Sequence, residues 1–301
     1  MLSVLIPTYN YNAVSLVKEL HKQLLDSNIL FEIICIDDGS KSVLNQFNQE
    51  INTLAFGSFI ALKENVGRSA IRNYLSEKSS YQWMLFLDSD VLPSSSDFIH
   101  NYLKGITNNN SVVFCGGIKY IETDENKKLL RYKYGINYEE IKLGKRKKKA
   151  YKFFFTSNFL ISKEVFKRIQ FEEKLKKYGR EDLLFSLHLK AENHKIVHIK
   201  NEVYHLGLDD DVTFVLKTKQ AMENIVYLEQ QNFISNKEGN LLKTVNYINL
   251  LGFSNIVGRL STYFEKKTIQ NSSIFYLNCL KISYLCSLKL LEQFSLKVCL
   301  V

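Results

Sequence analysis

Trp83-Met84-Leu85-Phe86-Leu87-Asp88-Ser89-Asp90-Val91-Leu92-Pro93 is the stretch on which the reading of the chain turns. Its first five residues are apolar without a break, the pattern of a buried strand. The run stops at two carboxylates separated by one small residue. At the carboxyl end of a strand in an open α/β sheet, this is where ligands bind. Carboxylates this close repel each other unless something positive sits between them. A hard divalent cation, Mg2+ or Mn2+, with phosphate oxygens around it meets that need. The stretch therefore points to a metal-dependent enzyme acting on a diphosphate-bearing substrate. The competing reading is an acidic loop that caps a following helix, from Asp90 or from residues 94–96.

The same arrangement recurs upstream. Residues 2–6 read as a strand that ends in Pro7-Thr8-Tyr9-Asn10, a turn with φ fixed at Pro7. Val14, Val17, Leu20, Leu24 and Leu25 recur at helical spacing over residues 13–26. Residues 31–36 form a second buried strand, closed by Asp37-Asp38-Gly39-Ser40. A helix over about 41–52 and a strand over about 56–62 follow. Asn65 and Gly67 then fit a tight turn that opens a helix, whose N-terminus can face anions. With the strand at 83–87 the order is βαβαβαβ, expected of a mostly parallel sheet with helices on both faces. The polar clusters follow strand carboxyl ends and so gather at one edge. Pro7 and Pro93, the chain's two prolines, sit at such ends, as rigid turns or as ordinary strand termination.

Downstream, residues 112–115 are a further strand that runs into Gly116-Gly117. Residues 142–152 carry seven cations: Lys142, Lys145, Arg146, Lys147, Lys148, Lys149 and Lys152. This run reads either as a solvated loop or as a contact for an anionic membrane or a phosphate-bearing acceptor. No nucleic-acid-reading module accompanies it, so nucleic acid is not expected as a partner. Residues 153–161 read as a strand bordering a pocket, with Thr156, Ser157 and Asn158 inside it. Glu181 and Asp182 open a helix, where capping alone accounts for acidic residues. Short strands are expected at 196–199 and 202–206, with His205 near the end of the second. A lone His is more often structural, though neutral imidazole is a common metal ligand. From about residue 212 the pattern is helical. Residues 281–301 are too interrupted to span a bilayer; they suit its surface or pack as an appendage on the domain or on a second subunit.

Composition bounds these readings. A chain of 301 residues can bury a full core, as one large domain or a domain with an appendage. A hydrophobic fraction of 46% excludes wholesale disorder. The net charge of +9 suggests an acidic partner: nucleotide phosphate, anionic lipid or acidic polymer. Seventeen Tyr and twenty Phe also suit a membrane-edge or carbohydrate-facing surface. Cys35, Cys115, Cys279, Cys286 and Cys299 form no Cys-x-x-Cys pair and are odd in number. They read as reduced thiols rather than a disulfide frame or zinc site. No basic leader precedes the first strand, and no apolar run is long enough for a transmembrane helix. The expectation is a cytoplasmic protein, at most peripheral at the inner face of the cell membrane.

Taken together, several stretches carry a family resemblance. They are Val4-Leu5-Ile6-Pro7-Thr8-Tyr9-Asn10, Ile36-Asp37-Asp38-Gly39-Ser40, Asn65-x-Gly67 with Ala70-x-Arg72-Asn73, and Leu87-Asp88-Ser89-Asp90. Later come Ser157-Asn158-Phe159-Leu160-Ile161-Ser162 and Gly179-x-Glu181-Asp182. In order and spacing the chain resembles the inverting family 2 glycosyltransferases of the nucleotide-diphospho-sugar transferase (GT-A) fold, over roughly residues 1–210. The resemblance implies an α/β GT-A domain at 1–228, a mostly parallel sheet flanked by helices. Residues 229–301 would be a C-terminal helical extension, in contact with a membrane surface or another subunit.

The resemblance also implies roles. Pro7, Thr8 and Tyr9 line the nucleotide base pocket, and Asp37 or Asp38 hydrogen-bonds the base. Asn65, Gly67 and Arg72 border the nucleotide. Asp88 and Asp90, with Ser89 between them, hold the ribose and a divalent Mn2+ or Mg2+ bridging the diphosphate, Asp90 ahead of Asp88 as direct ligand. Asp182 is the catalytic base and Glu181 lies nearer the acceptor or donor sugar. His205 falls where some members place a third metal ligand. Arg180 stands where many relatives have an aromatic residue, which weakens inference about the acceptor. The implied partners are a nucleotide-diphosphate sugar, UDP-linked by preference, and a glycan or lipid-linked acceptor in surface polysaccharide or glycolipid synthesis. A carboxylate base and a Lewis-acid metal suffice for a single inverting displacement. A nucleotidyltransferase would need a glycine-rich loop after the first strand, and residues 8–12 hold no glycine. A phosphatase with Asp-x-Asp would place it after the first strand. A non-catalytic GT-A scaffold subunit of a polysaccharide assembly complex is the alternative of a different class.

Overall fold

The computed structural model of the protein describes residues 1–106, 112–235 and 240–298, with side chains of the last helix described to residue 290. The elements begin β1 (Leu2–Thr8), α1 (Val14–Asp26), β2 (Phe31–Asp37), α2 (Asn45–Asn48), β3 (Gly57–Ala61), α3 (Arg68–Lys78) and β4 (Trp83–Leu87). They continue β5 (Val91–Pro93), α4 (Phe98–Ile106), β6 (Val112–Cys115), β7 (Ile118–Tyr120), α5 (Leu130–Tyr138), α6 (Leu143–Lys148), β8 (Asn158–Ser162), α7 (Lys163–Ile169), α8 (Glu181–Ala191), β9 (Lys195–His198) and β10 (Val203–His205). The helices α9 (Asp211–Gln230), α10 (Asn240–Leu250), α11 (Ser254–Arg259), α12 (Ser261–Asn271) and α13 (Ile274–Val298) complete the chain.

The residues cluster into two compact units. One comprises Met1–Ile121, Gly135–Lys176 and Glu181–Gly207; the other comprises Glu122–Tyr134, Lys177–Arg180 and Leu208–Val301. The first holds a seven-stranded sheet in the order β3-β2-β1-β4-β8-β6-β9 and a three-stranded sheet β5-β10-β7. β1 pairs in parallel with β2 and β4, and β2 with β3. β8 runs antiparallel to both β4 and β6. The apolar runs are continuous because both sheet faces are covered. Leu2, Val4 and Ile6 join α1 residues Val14, Val17, Leu20 and Leu24 in one core. Leu5, Met84 and Phe86 join Ile71 and Leu75 of α3 in the other. That second core is aromatic: Phe86 stacks on Phe159 at 4.9 Å, and Phe171 on Phe185 at 4.3 Å.

The structure corrects several expectations. Pro7 is not in a turn but inside β1, opposite Ile36. Leu2 donates its N–H to Leu30 on the β2 side. Alternation along a strand then turns the odd-numbered N–H groups towards β4, whose last pair with β1 is Leu5↔Phe86. The N–H that Pro7 lacks would have pointed past that last pair, so no ladder bond is lost. The expected helix at 41–52 is a single turn, α2, followed by a 3-10 segment Gln49–Thr53. Residues after Asp90 form β5, and the next helix, α4, starts only at Phe98. The strand expected at 153–161 is confined to β8. Asn158 is buried, and its Nδ2 donates to the Gly117 and Asn201 carbonyls while its Oδ1 accepts from Tyr102.

The basic run is not a solvated loop. It is α6 followed by a 3-10 turn, Ala150–Phe153. Arg146 within it is 1% exposed. Its guanidinium donates to the carbonyls of Ile141, Cys115 and Ile199 and to Glu202 at 3.1 Å. The six lysines of the run remain exposed. Cys35, Cys115 and Cys286 are buried free thiols, as expected, Cys279 is half-buried and free, and Cys299 lies outside the described residues.

The second unit is helical. Leu130, Phe214, Val215, Leu277 and Leu280 form its core. Asp210 caps α9 by accepting from Thr213 N–H. Lys281 lies 4.4 Å over the Tyr134 ring. Among the described residues, no helix is long and apolar enough to cross a membrane.

Candidate active site

The carboxyl ends of β1, β2, β3 and β4 bring their loops to one edge, as the parallel pattern requires. Asp37 and Asp38 close β2 in different ways. Asp37 is fully buried and accepts from the Ser40 N–H and hydroxyl, forming an Asx turn. Asp38 accepts from Val66 N–H at 2.7 Å, Gly67 N–H at 3.0 Å and Asn65 Nδ2 at 3.1 Å. Burial pushes the Asp38 carboxyl up, and the two N–H bonds only partly offset it. Asp38 thus fixes the turn that starts α3, where Gly67 has a φ of +97°. Thr8 is buried and Tyr9 exposed beside them.

Two ion pairs tie this edge together. Arg72 on α3 is 2% exposed and its Nη2 donates to Asp88 at 2.6 Å. Arg68, one turn earlier on the same helix face, donates from Nε to Glu181 at 2.8 Å. Burial raises the Asp88 and Glu181 carboxyls, but Arg72 and Arg68 outweigh it and hold both below the ordinary carboxylate range. Both therefore stay ionised. Through these pairs the end of β4 and the first turn of α8 are joined across α3. Asp182, next to Glu181, accepts the Leu183 N–H at 2.7 Å.

Asp90 has a different neighbourhood, built by the small sheet. β5 follows Asp90 directly and pairs with β10 as Val91↔His205. That register puts His205 Nε2 at 3.7 Å from Asp90 Oδ2. Leu206 N–H donates to the Asp90 carbonyl at 2.7 Å. On the other side of β10, Tyr120 stacks on the His205 ring at 5.5 Å. Gly207 passes so close that a Cβ there would lie 2.3 Å from Asp90 Oδ2. Tyr11 adds a hydroxyl that burial, and then the charge of Asp90, hold above its usual range.

The residues expected at the site thus separate into groups. Asp90 and His205 meet; Asp88 is held by Arg72; Glu181 is held by Arg68; Asn65 and Gly67 are held by Asp38. Ser89 is buried between the two aspartates. Among the described residues no three His, Cys, Asp or Glu side chains group as a ligand set. Asp90 and His205 supply two donors, one oxygen and one nitrogen. That fits a divalent ion whose other positions are filled by water and substrate oxygens. Sequence reasoning assigned nothing to Arg68, Tyr11, Tyr120 or Gly207. Arg68 had a signal, since it lies four residues before Arg72 on one helix; the other three had none.

Residues 3–170, more than half of the chain, match the model of the family described as Glycosyl transferase family 2. Over 123 residues the chain is 28% identical to the chondroitin synthase of Pasteurella multocida (strain Pm70). That match takes in 40% of this chain and 13% of that protein, so the chain spans a small part of that relative's length. Among solved structures, the mannosyltransferase PcManGT from Pyrobaculum calidifontis, in complex with GDP-Man and Mn2+, has a TM-score of 0.51 at 12% identity, over 94% of this chain and 86% of that chain. GalNAc-T7 with UDP, GalNAc and Mn2+ has a TM-score of 0.50 at 15% identity, over 69% of this chain and 43% of that chain. At these identities the likeness is one of fold, and the fold is GT-A. With the matched segment running from β1 past the end of α7, the chain belongs to glycosyl transferase family 2.

Proposed function

We propose that the chain is an inverting glycosyltransferase that moves a sugar from a nucleotide-diphosphate donor to a hydroxyl of a glycan or lipid-linked acceptor. The observation that carries this reading is the pair of ion bridges, Arg72–Asp88 and Arg68–Glu181, which brings the Asp88/Asp90 loop and the first turn of α8 to one edge. These bridges consume Asp88 and Glu181 as fixed anions. Asp90, beside His205, and Asp182, in the first turn of α8, are the carboxylates assigned to substrate chemistry.

In this reading Asp182 accepts the proton of the acceptor hydroxyl as its oxygen bonds to the anomeric carbon. The bond from that carbon to the diphosphate oxygen breaks at the same time, and the diphosphate leaves with the electron pair. The attack comes from the opposite face, so the anomeric centre inverts and no enzyme nucleophile is used. A divalent Mn2+ or Mg2+ held by Asp90 and His205 would act as a Lewis acid towards the departing diphosphate. Asp38 keeps the Asn65–Gly67 turn against the nucleotide, and Thr8 and Tyr9 border the base. The ligands named for the fold neighbours, UDP with GalNAc in one and GDP-Man in the other, support a nucleotide-linked sugar, and the chondroitin synthase relative supports polysaccharide synthesis. UDP-sugar is our preferred donor.

Asp182→Asn tests the base assignment. We expect turnover to fall about 10²–10⁴-fold, with donor affinity retained. Unchanged turnover would remove Asp182 from the mechanism, and a wild-type chain with no turnover on any nucleotide sugar would favour a non-catalytic role.

A further inference from the structure

The helical unit carries a corner that leaves large apolar side chains exposed. α10 ends at Leu250, the chain turns at Gly252, and α11 leads almost directly into α12. The buried positions of α11 and α12 are small or polar, Ser254, Gly258 and Thr268, while Phe264 and Ile269 of α12 pack against the core of the unit. Several of the side chains turned outward are large and apolar. Leu250 is 81% exposed, Ile256 63% and Phe253 52%. Exposed large apolar side chains in one contiguous group mark an interaction site.

The end of α10 is closed by bonds within the chain. Gly252 has a φ of +77° and donates to Asn249, while Phe253 donates to Ile248 and Leu251 to Tyr247. This is a Schellman turn, which satisfies the carbonyls that end α10. The carbonyls of Tyr247, Ile248 and Asn249 are thereby bonded within the chain, which lowers the desolvation cost at the end of α10. Behind the tip, Tyr247 and Tyr263 are exposed, the residue type that settles at a membrane–water boundary.

Charge names the occupant. Lys243, Arg259 and Lys266 are exposed around the tip. No Asp or Glu occurs from residue 240 to residue 264. Glu265, the next, is bonded to Lys219 at 2.9 Å. A two-fold contact between copies of this face would set cations against cations with no counter-charge. An anionic headgroup layer supplies that counter-charge, and lysine and arginine stems can reach it while the tip is buried.

We propose that the corner formed by α10, α11 and α12 docks the chain on an anionic lipid bilayer, with Leu250, Phe253 and Ile256 inserted at the acyl boundary. The inference stands apart from the reading of the active site, because none of these residues belongs to that site.

The test is flotation of the full chain with phosphatidylcholine vesicles, with and without phosphatidylglycerol, at low and high salt. The chain is expected to float with the phosphatidylglycerol vesicles and to lose that binding as salt is raised. Leu250→Glu with Ile256→Glu is expected to lower vesicle partitioning about tenfold or more. Nucleotide binding by the same variant, expected unchanged, shows that it is folded and keeps the two readings separate. Leu250→Trp gives a second readout, since the chain's one natural tryptophan, Trp83, is buried. Its emission is expected to shift blue with phosphatidylglycerol vesicles. The proposal is overturned by a wild-type chain that does not float, by a double variant that floats equally well, or by an emission that does not move. A dimer that dissociates in the double variant, without vesicle binding, would assign the corner to a second copy instead.

Discussion

Arg72 is the residue on which the candidate site leans most. Its guanidinium donates to Asp88 and to the Arg68 carbonyl, and it lies 5.7 Å from the centre of the Phe171 ring. Removing it leaves Asp88 as a largely enclosed, unpaired anion. Arg72→Met is expected to lower unfolding free energy by about 3 kcal/mol, the low end for a broken buried pair because Asp88 keeps some contact with water. Urea denaturation checks it; a change within error would mean that Asp88 is hydrated well enough to need no partner.

The same pairs set a pH dependence. The Asp88 and Glu181 carboxyls are held below their ordinary values of 3.8 and 4.5. Their contribution to stability is complete above those values and is lost as pH falls through the lower folded ones. Asp38 acts the other way: its folded carboxyl is raised above 3.8, so its burial cost is relieved on protonation. Two losses against one gain predict a urea midpoint that is steady from about pH 7 to 5 and falls below about pH 4. In Arg72→Met the fall should be shallower. An equal slope in both proteins would separate the acid response from these pairs.

At the scale of elements, the three-stranded sheet does what the large sheet cannot. The parallel strands deliver Asp88 and Asp90 to an edge, but the β5–β10 register places His205 against Asp90, and Gly207 follows at once. Gly207→Ala would drive Asp90 aside, because the added carbon meets its Oδ2 at 2.3 Å and its Cγ at 2.9 Å. Mn2+-dependent nucleotide affinity is expected to fall about 10–100-fold, read by titration calorimetry, with little change in melting temperature. Unaltered affinity would show that Asp90 does not take part in metal binding.

The elements differ in how far the sequence reveals them. β1, β2 and β4, with α1 and α3, are legible, because strands buried on both faces leave unbroken apolar runs that end in polar clusters. β5 and β7 have three residues each, too few for a period to show, whereas β10 falls inside the strand expected at 202–206. The Arg68–Glu181 pair joins positions 113 apart in sequence, and nothing local announces it. Arg146 illustrates the converse: among six exposed lysines its burial has no compositional mark. It becomes evident only when the carbonyls of Ile141, Cys115 and Ile199 are seen to converge on it.

At the scale of the whole molecule, a GT-A unit and a helical unit share a strongly basic chain. The net charge of +9 is distributed in a telling way. In the GT-A unit, the cations nearest the candidate site, Arg68 and Arg72, are matched by Asp88 and Glu181. Much of the excess lies elsewhere, on the lysines of residues 142–152 and around the α10–α12 corner. Anionic partners other than the donor have these surfaces to meet, while the donor meets a site organised by fixed pairs.

The central claim is that the edge around Asp90 and His205 binds a nucleotide diphosphate with a divalent ion. Thermal unfolding of the full chain with UDP, GDP, dTDP or CMP, each with and without Mn2+, tests it most directly. A ligand that binds only the folded protein raises the midpoint by mass action. A shift is expected with one nucleoside diphosphate, requiring Mn2+ and disappearing in Asp90→Asn. No shift with any nucleotide, or a shift that Asp90→Asn leaves intact, would contradict the claim.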